Sequence, residues 1–305
     1  MVDSRESITA KLCSFARAYH SNFEKEKIFD DYLAFDFMGK EEYEEMGQLI
    51  QNDFNVSALD PQSDFDGSFV YPWLNRFISP IPLSRIAFAE KELQRFVKEK
   101  GKCQYVICGA GMDTFAFRNE NPDIRIFELD HPDTQRYKLE RVKKLEWTIP
   151  ENVQYVPIDF SKDDMNRVLQ EAGIDEAMPT FVSILGVTYY LTLPVLEETL
   201  KKVGGISEKE SRVVFDFPDE TTFDPHGIER VYGLTHITEK LGEPMLHGFR
   251  LPEIYLALWK NGFQVEKYES PEMIQKNFFG ERKDKQTAFE NIHFILAKKS
   301  ERYGE

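Results

Sequence analysis

Short apolar runs and helix-like segments alternate along the chain after residue 100. The apolar runs are QYVICGA, IRIFELD, NVQYVPID, TFVSILGV and SRVVFDFP, and segments such as DTQRYKLERVKKLEW and LPVLEETLKKVGG separate them. This alternation is typical of a parallel sheet whose strands are connected by crossover helices. It predicts an α/β fold with a doubly wound, Rossmann-like and mostly parallel sheet.

Two further strand-like runs, FQVEKYE and NIHFILAKK, follow near the C-terminus, and a polar stretch joins them. They are expected to pair with each other as an antiparallel edge. The complete sheet is then seven-stranded and mostly parallel, with an antiparallel edge strand.

The regions outside the predicted sheet differ in their sequence patterns. Residues 1–100 show helical spacing in ITAKLCSFARAYH, DDYLAFDFM and SRIAFAEKELQRFVKEKG, which predicts an N-terminal helical segment in front of an α/β domain at 101–305. Residues 219–250 follow the fifth strand and carry glycine, proline and histidine without strong periodicity. This stretch is expected to form a lid or part of a substrate pocket.

Composition narrows the possible partners. With Lys+Arg 38 against Asp+Glu 53, the net charge of −15 disfavours binding to nucleic acid and to anionic membranes. Cys13, Cys103 and Cys108 lack CxxC spacing, which argues against a disulfide framework or a structural zinc site. The N-terminus does not resemble a signal peptide, and no run is long enough to span a membrane. We expect a cytoplasmic protein that binds a small molecule and no metal.

A glycine turn, Gly109-Ala110-Gly111, follows the first strand of the sheet. In doubly wound sheets the ligand lies at this position, and glycine lets the backbone turn sharply and approach it. A dinucleotide fingerprint would have a third glycine where Thr114 stands, and Asp113 would face the pyrophosphate. S-adenosylmethionine, which has ribose hydroxyls and no phosphate, fits better. A plain tight turn is the alternative.

Acidic residues end the next two strands. Glu128 and Asp130 lie on one face of the second strand, and either carboxylate could accept hydrogen bonds from the ribose hydroxyls while the other caps the next helix. Asp159 and Phe160 end the third strand and suit an adenine pocket, the acid for the exocyclic amine and the ring for the purine face. Solvated acids at strand ends are the alternative.

The run VICGAGMDTFAFR, followed by FELDHP, resembles the leucine carboxyl methyltransferase family, which includes the tetracenomycin-type polyketide O-methyltransferases. The blocks TAKLCSFARAYH, IFDD, SRIAFAEKEL, LGVTYYLT and GEPMLHGFRLPEIYLALWKNGF extend the likeness over most of the chain. The resemblance implies a class I S-adenosylmethionine-dependent methyltransferase. Its acceptor would be a carboxylate or hydroxyl of a small, polyketide-like molecule, or the terminal carboxylate of a protein.

The resemblance also implies roles for individual residues. Arg85 should reach the methionine carboxylate of the cofactor, Gly109 should line the cofactor, Asp130 should take the ribose, and Asp159 with Phe160 the adenine side. An arginine fork is well suited to a carboxylate. Helical periodicity alone would place Arg85 on a solvated face.

One position departs from the family pattern. The family usually has an acidic residue before the glycine of its fourth-strand block, and here Leu185 precedes Gly186. We still expect Leu185 at the cofactor site, and Ser183 or Asp216 are the nearest polar alternatives. A protein that binds the cofactor with weak or no transferase activity remains the alternative to an active enzyme.

Methyl transfer from a sulfonium is an in-line displacement, which requires alignment and the exclusion of water rather than a metal. A carboxylate acceptor is already ionised at neutral pH, whereas a hydroxyl acceptor needs a general base, most often histidine. His247 is a candidate base in the 219–250 stretch. The sequence leaves the catalytic residue open.

Overall fold

A computed structural model describes residues 7–53, 70–208 and 210–300 of the chain. Its centre is a seven-stranded sheet in the order β3-β2-β1-β4-β5-β7-β6. The strands are β1 Cys103–Cys108, β2 Ile124–Asp130, β3 Val153–Pro157, β4 Thr180–Ile184, β5 Arg212–Pro218, β6 Phe263–Glu269 and β7 Ile292–Lys299. The prediction of a Rossmann-like, mostly parallel, seven-stranded sheet is confirmed.

The strand order reverses at β1, which is parallel to β2 on one side and to β4 on the other. All the residues of β1 are buried, because helices cover both faces of the sheet. A strand buried on both faces has a continuous apolar sequence, as QYVIC does. The predicted ligand position beyond the carboxyl end of β1 is therefore the switch point of the sheet.

The antiparallel pair is at the edge next to β5. β7 is antiparallel to both β5 and β6, and β6 is the outermost strand. The direction of the chain therefore reverses at β7, the inner strand of the edge pair.

Helices precede the sheet and alternate with its strands. Those before β1 are α1 Ile8–Phe23, α2 Ala34–Met38, α3 Lys40–Asp53, α4 Val70–Phe77 and α5 Pro80–Lys100. Those after it are α6 Phe115–Arg118, α7 Pro132–Lys144, α8 Met165–Glu171, α9 Leu193–Gly205, α10 Glu229–Lys240, α11 Leu251–Lys260 and α12 Pro271–Ile274. None of the helices in the described ranges has the length and apolar character that crossing a membrane requires.

The two faces of the sheet have separate cores. Tyr105 and Ile107 of β1 belong to the core that the N-terminal helices cover, whereas Val106 and Cys108 belong to the core beneath α8, α9 and α11. This division follows from the alternation of side chains along a strand. The N-terminal helices thus pack on one face of the sheet.

The stretch 219–250 leaves the sheet and returns to the same place. Asp219 and Phe249 form an isolated parallel β-bridge. The amide of Phe249 donates a hydrogen bond to the Pro218 carbonyl oxygen at 2.8 Å. Between these points lie a short 3₁₀ turn, Glu220–Phe223, and the helix α10. The β-bridge holds the two ends of the 219–250 stretch together, and α10 lies between them.

Candidate active site

The glycine turn after β1 has left-handed backbone at both glycines, with φ +74° at Gly109 and +48° at Gly111. The amides of Gly109 and Ala110 both donate to the Leu129 carbonyl oxygen, at 2.9 and 3.1 Å. A Cβ at Gly109 would lie 2.8 Å from Cγ2 of Val187. Glycine is required here by the backbone conformation and by the close approach of the loop after β4.

A cleft of about 210 Å³ opens beside this turn, between α1, α5 and the carboxyl ends of β1, β2 and β4. Of the residues that the sequence predicted for the cofactor, it is lined by Arg85, Gly109, Ala110, Gly111, Asp130 and Leu185. The structure thus brings most of the predicted side chains to one cavity at the switch point.

Asp130 is bonded to the glycine turn as well as to its own loop. Its Oδ2 accepts from the Gly111 amide at 2.5 Å and its Oδ1 from the His131 amide at 2.7 Å. Burial raises the pKa of Asp130, and these two amide bonds oppose that effect. Each carboxylate oxygen keeps a further lone pair, which can accept a hydroxyl hydrogen from the cleft.

Glu128 is not brought to the cleft. It is buried beneath α7, and its Oε2 lies 2.5 Å from Nζ of the equally buried Lys138. Burial raises the pKa of Glu128 to about 7, although Lys138 opposes the rise. In this structure its carboxylate is half of a buried ion pair behind Asp130.

Asp159 and Phe160 also lie outside the cleft. The carboxylate of Asp159 accepts from Nζ of Lys162 at 2.6 Å and from Oγ of Ser161 at 2.5 Å, and these bonds hold its pKa well below the usual range. Phe160 is exposed. Both residues belong to a surface turn after β3.

Arg85 projects from α5 into the cleft and is nearly buried. Its Nη1 lies 3.3 Å from Oδ2 of Asp216, and its Nη2 lies 3.9 Å from the sulfur of Cys13. Its Nε is buried without a hydrogen-bond partner among the described residues. The solvated position that periodicity suggested is wrong, because Arg85 lines the cleft; its contact with the cofactor carboxylate stays a prediction. Several guanidinium donors remain available to a ligand.

A buried polar network, which no sequence pattern indicated, supports the glycine turn. Asp31, in the loop after α1, is fully buried and accepts from Nη1 of Arg17 at 2.5 Å and from Oγ1 of Thr114 at 2.5 Å. Nε of Arg118 lies 3.3 Å from Asp31, and its Nη atoms form two bonds to Glu90. The conspicuous threonine and arginine of GAGMDTFAFR are thus part of this network.

Arg17 connects the network directly to the cleft. Its Nη2 donates to the Met112 carbonyl oxygen at 2.7 Å, and Arg17 itself lines the cavity. The glycine turn is therefore fixed from β2 through Asp130 and from the N-terminal helices through Arg17. No pattern in the sequence pairs these residues, because they are far apart along the chain.

A second, smaller cavity of about 60 Å³ adjoins the cleft, and we call it the chamber. The walls that it shares with the cleft are Thr9, Cys13, Pro82, Arg85, Gly186 and Tyr190. The rest of its lining is mostly apolar and includes Leu12, Phe77, Ile78, Ile81, Leu234, Ile237, Leu241 and Met245. The last four come from the 219–250 stretch. Arg85 is the charged group at the junction of the two cavities.

Comparison with known proteins decides the family. Residues 10–204 match the family described as Leucine carboxyl methyltransferase. The chain belongs to this family. It is therefore an S-adenosylmethionine-dependent methyltransferase, as the resemblance implied. A provisionally named S-adenosyl-L-methionine-dependent methyltransferase of Bacillus subtilis, YktD, is 35% identical over 305 residues, which cover 98% of this chain and 100% of YktD.

Solved structures share the fold of this methyltransferase. A DUF574 family protein from Streptomyces avermitilis has a TM-score of 0.56 at 12% identity, over 98% of this chain and 100% of that one. A provisionally named methyltransferase from Thermobifida fusca has a TM-score of 0.50 at 16% identity, over 82% and 94%. At these identities the likeness concerns the fold alone.

None of the histidines in the described ranges lines the cleft or the chamber. His247, the candidate base, packs edge-on against Phe249 instead, 4.7 Å between ring centroids. His20 is fully buried, and burial lowers its pKa to about 3. Burial raises the pKa values of Cys13 and Tyr190, which do line the cavities. The carboxylates of Asp113 and Asp130, at the glycine turn, are thus the groups of the described cavity walls that could accept a proton at neutral pH, and neither lines the chamber.

Proposed function

We propose that the enzyme transfers the methyl group to the carboxylate of a small, apolar acceptor. The observation that carries this proposal is an apolar chamber that meets the cofactor cleft at Arg85, with no histidine at either cavity. A carboxylate is ionised at neutral pH and needs no base, whereas a hydroxyl would have to lose its proton to one. An apolar lining favours an acceptor whose remaining surface is apolar.

The cleft fits S-adenosylmethionine in its chemistry. We place the ribose hydroxyls at Asp130 and the methionine carboxylate at Arg85, whose buried Nε has no partner among the described residues. The glycine turn from Gly109 to Gly111 gives the cofactor close contact with backbone. When bound, the cofactor supplies a methyl group on a positively charged sulfur. Leu185 adds an apolar wall to the cleft.

The adenine contacts of Asp159 and Phe160 remain a prediction. The third strand is two strands away from β1, about 10 Å at the usual spacing. The adenine would have to extend across the end of β2 to reach the turn that holds these residues.

The chain's own residues position the reactants and exclude water in this scheme. Arg85 would hold the methionine carboxylate and Asp130 the ribose, on either side of the sulfur, so that the sulfur lies at the junction of the cleft and the chamber. The chamber walls from α4, α5 and α10 would keep water away from the acceptor carboxylate. Alignment of this kind can supply a large part of the rate enhancement without a proton transfer.

A panel of matched acceptors tests the proposal. We expect formation of S-adenosylhomocysteine with aliphatic or aromatic carboxylic acids, and little with the corresponding alcohols and phenols. Because the acceptor carboxyl has a pKa of about 4, kcat/KM should be flat between roughly pH 6 and 9. Turnover confined to phenols, with a rate that rises through this range, would assign the enzyme to hydroxyl acceptors. Turnover confined to peptides would assign it to protein termini.

Replacement of Asp130 by alanine tests the placement of the ribose. Each hydrogen bond from a ribose hydroxyl to this carboxylate contributes roughly 1.5 to 3 kcal/mol, so we expect cofactor affinity to fall about tenfold or more in calorimetry. Glu128→Ala should affect affinity less and stability more, because it leaves Lys138 buried without its partner. A larger loss of cofactor affinity in Glu128→Ala than in Asp130→Ala would show that Glu128 binds the ribose.

A further inference from the structure

One residue that touches neither cavity holds the wall between them. The turn at residues 185–190, after β4, contributes to the lining of both the cleft and the chamber. Three of its groups bond to Asp216 on β5. The Gly186 amide donates to Oδ1 at 2.7 Å, the Tyr189 hydroxyl to Oδ2 at 2.6 Å, and Oγ1 of Thr188 to the carbonyl oxygen at 2.5 Å.

Asp216 also faces the arginine at the junction. Its Oδ2 lies 3.3 Å from Nη1 of Arg85, and the aspartate is fully buried. Burial lowers the pKa of Arg85, but the charge and hydrogen bond of Asp216, together with the charges of Cys13 and Tyr189, more than offset this effect, so that the pKa of the guanidinium is raised. A buried carboxylate is costly unless donors satisfy its oxygens, and here donors from α5 and from the β4 turn do so together.

We propose that Asp216 is a positioning residue for methyl transfer. It fixes the Arg85 fork and the wall turn relative to each other, so that the methionine end of the cofactor points at the chamber. This inference rests on the proposed contact between Arg85 and the cofactor carboxylate. A guanidinium has five N–H donors in a rigid plane, and the ion pair to Asp216 occupies only Nη1, so the orientation of the remaining donors is set by Asp216.

The orientation matters because the displacement is in line. A misplacement of about 1 Å at a reacting centre can cost about a hundredfold in rate. The hydroxyl of Tyr189 is committed to the same carboxylate, and burial raises its pKa well above the ordinary value. Tyr189 is therefore a neutral donor that completes the arrangement, and not a base.

The isosteric substitution Asp216→Asn tests this role. The amide oxygen can still accept from Gly186, but the amide group cannot balance the charge of Arg85. We expect S-adenosylmethionine to bind about tenfold more weakly in calorimetry, whereas 5′-methylthioadenosine, which lacks the amino acid end, binds within about twofold of the unaltered protein. Ser183→Ala is the matched control, because Ser183 lies on β4, the strand next to β5, and its substitution removes a buried bond to Tyr105 on β1. It should change neither affinity.

A double-mutant cycle with Arg85→Met separates positioning from a merely structural role. If Asp216 acts through Arg85, Asp216→Asn should cause no further loss of S-adenosylmethionine affinity in the Arg85→Met background. The double variant has neither buried charge and is expected to fold even if Asp216→Asn alone does not. An additional, equal loss for both ligands in the double variant would overturn the proposal.

The cycle also distinguishes this inference from the proposed function. Unchanged S-adenosylmethionine affinity in Arg85→Met would show that the cofactor carboxylate is bound elsewhere, and the role of Asp216 would fall with that placement. A wrong acceptor class would appear only in the acceptor panel, since the cycle measures cofactor binding without any acceptor.

Discussion

Replacing Gly186 by alanine is expected to weaken S-adenosylmethionine binding about a hundredfold. A Cβ at this position would lie 2.5 Å from Nη2, 2.6 Å from Nη1 and 2.7 Å from Cζ of Arg85. The methyl group must therefore displace the guanidinium. If Arg85 binds the cofactor carboxylate as proposed, loss of two charge-assisted hydrogen bonds amounts to roughly 3 kcal/mol, which corresponds to about a hundredfold in affinity. Calorimetric titration with S-adenosylmethionine and with 5′-methylthioadenosine measures the effect.

Gly101→Ala is the matched control for backbone strain. Gly186 has φ +72° and Gly101 has φ +73°, but a Cβ at Gly101 would have no atom within 4 Å. Both substitutions place a side chain at a positive φ that residues with a Cβ rarely adopt, at a cost of roughly 1–3 kcal/mol of stability. Only Gly186→Ala should affect the cofactor. Equal losses of stability with unchanged cofactor affinity in both variants would show that Gly186 does not hold Arg85 in place.

The sheet could be predicted because its physical signal is local. Strands buried on both faces have continuous apolar sequences, and helices of regular spacing separate them, so that the seven strands and their mostly parallel arrangement follow from the chain alone. The antiparallel pair could be predicted from two runs joined by a loop, but not the insertion of β7 between β5 and β6. The strand order depends on which strands pair with β7 in the folded sheet, and the periodicity of the sequence does not predict pairing partners.

The part of the site that could be predicted lies at the ends of adjacent strands. Gly109 follows β1 and Asp130 ends β2, and parallel pairing brings the ends of these strands together. Glu128 shares a face with Asp130, but it lies about 7 Å further down the strand, where α7 covers it. The sequence predicts on which face of the sheet a side chain lies. It does not predict which residues of the strand a packed helix such as α7 covers.

The groups that support the site could not be predicted because their partners are distant in the chain. Asp216 ends a strand, as many acids do, and only the structure shows that Arg85, 131 residues earlier, lies against it. Arg17 and Met112 are separated by 95 residues. Periodicity assigned Arg85 to solvent because it describes one helix, whereas the burial of Arg85 arises from α1 and the β4 turn that close over that helix.

Replacing Asp31 by asparagine is expected to lower the free energy of unfolding by about 3–5 kcal/mol, the usual effect of removing one partner of a buried ion pair. Asp31 is fully buried, and it receives bonds from Arg17 and Thr114 with Arg118 beside them. Asparagine keeps the shape but leaves the buried guanidinium of Arg17 without a balancing charge, whereas Arg118 keeps its ion pair with Glu90. Chemical denaturation measures the change, with Asp30→Asn as the control. Asp30 is exposed, and its substitution should alter stability by less than about 0.5 kcal/mol.

The effect of Asp31→Asn on ligands should differ from that of Asp216→Asn. Arg17 connects Asp31 to the Met112 carbonyl, inside the loop that carries Gly111. If Asp31 fixes this loop, its substitution should weaken binding of S-adenosylmethionine and of 5′-methylthioadenosine to the same extent, because both ligands contain the adenosine that we propose the loop and Asp130 to hold. Selective loss of S-adenosylmethionine alone would place the effect at the amino acid end, at Arg85. An unchanged free energy of unfolding would mean that the buried network does not stabilise the fold. A change of about 3–5 kcal/mol is a large part of the stability of a folded protein and would be detected in a cooperative unfolding transition.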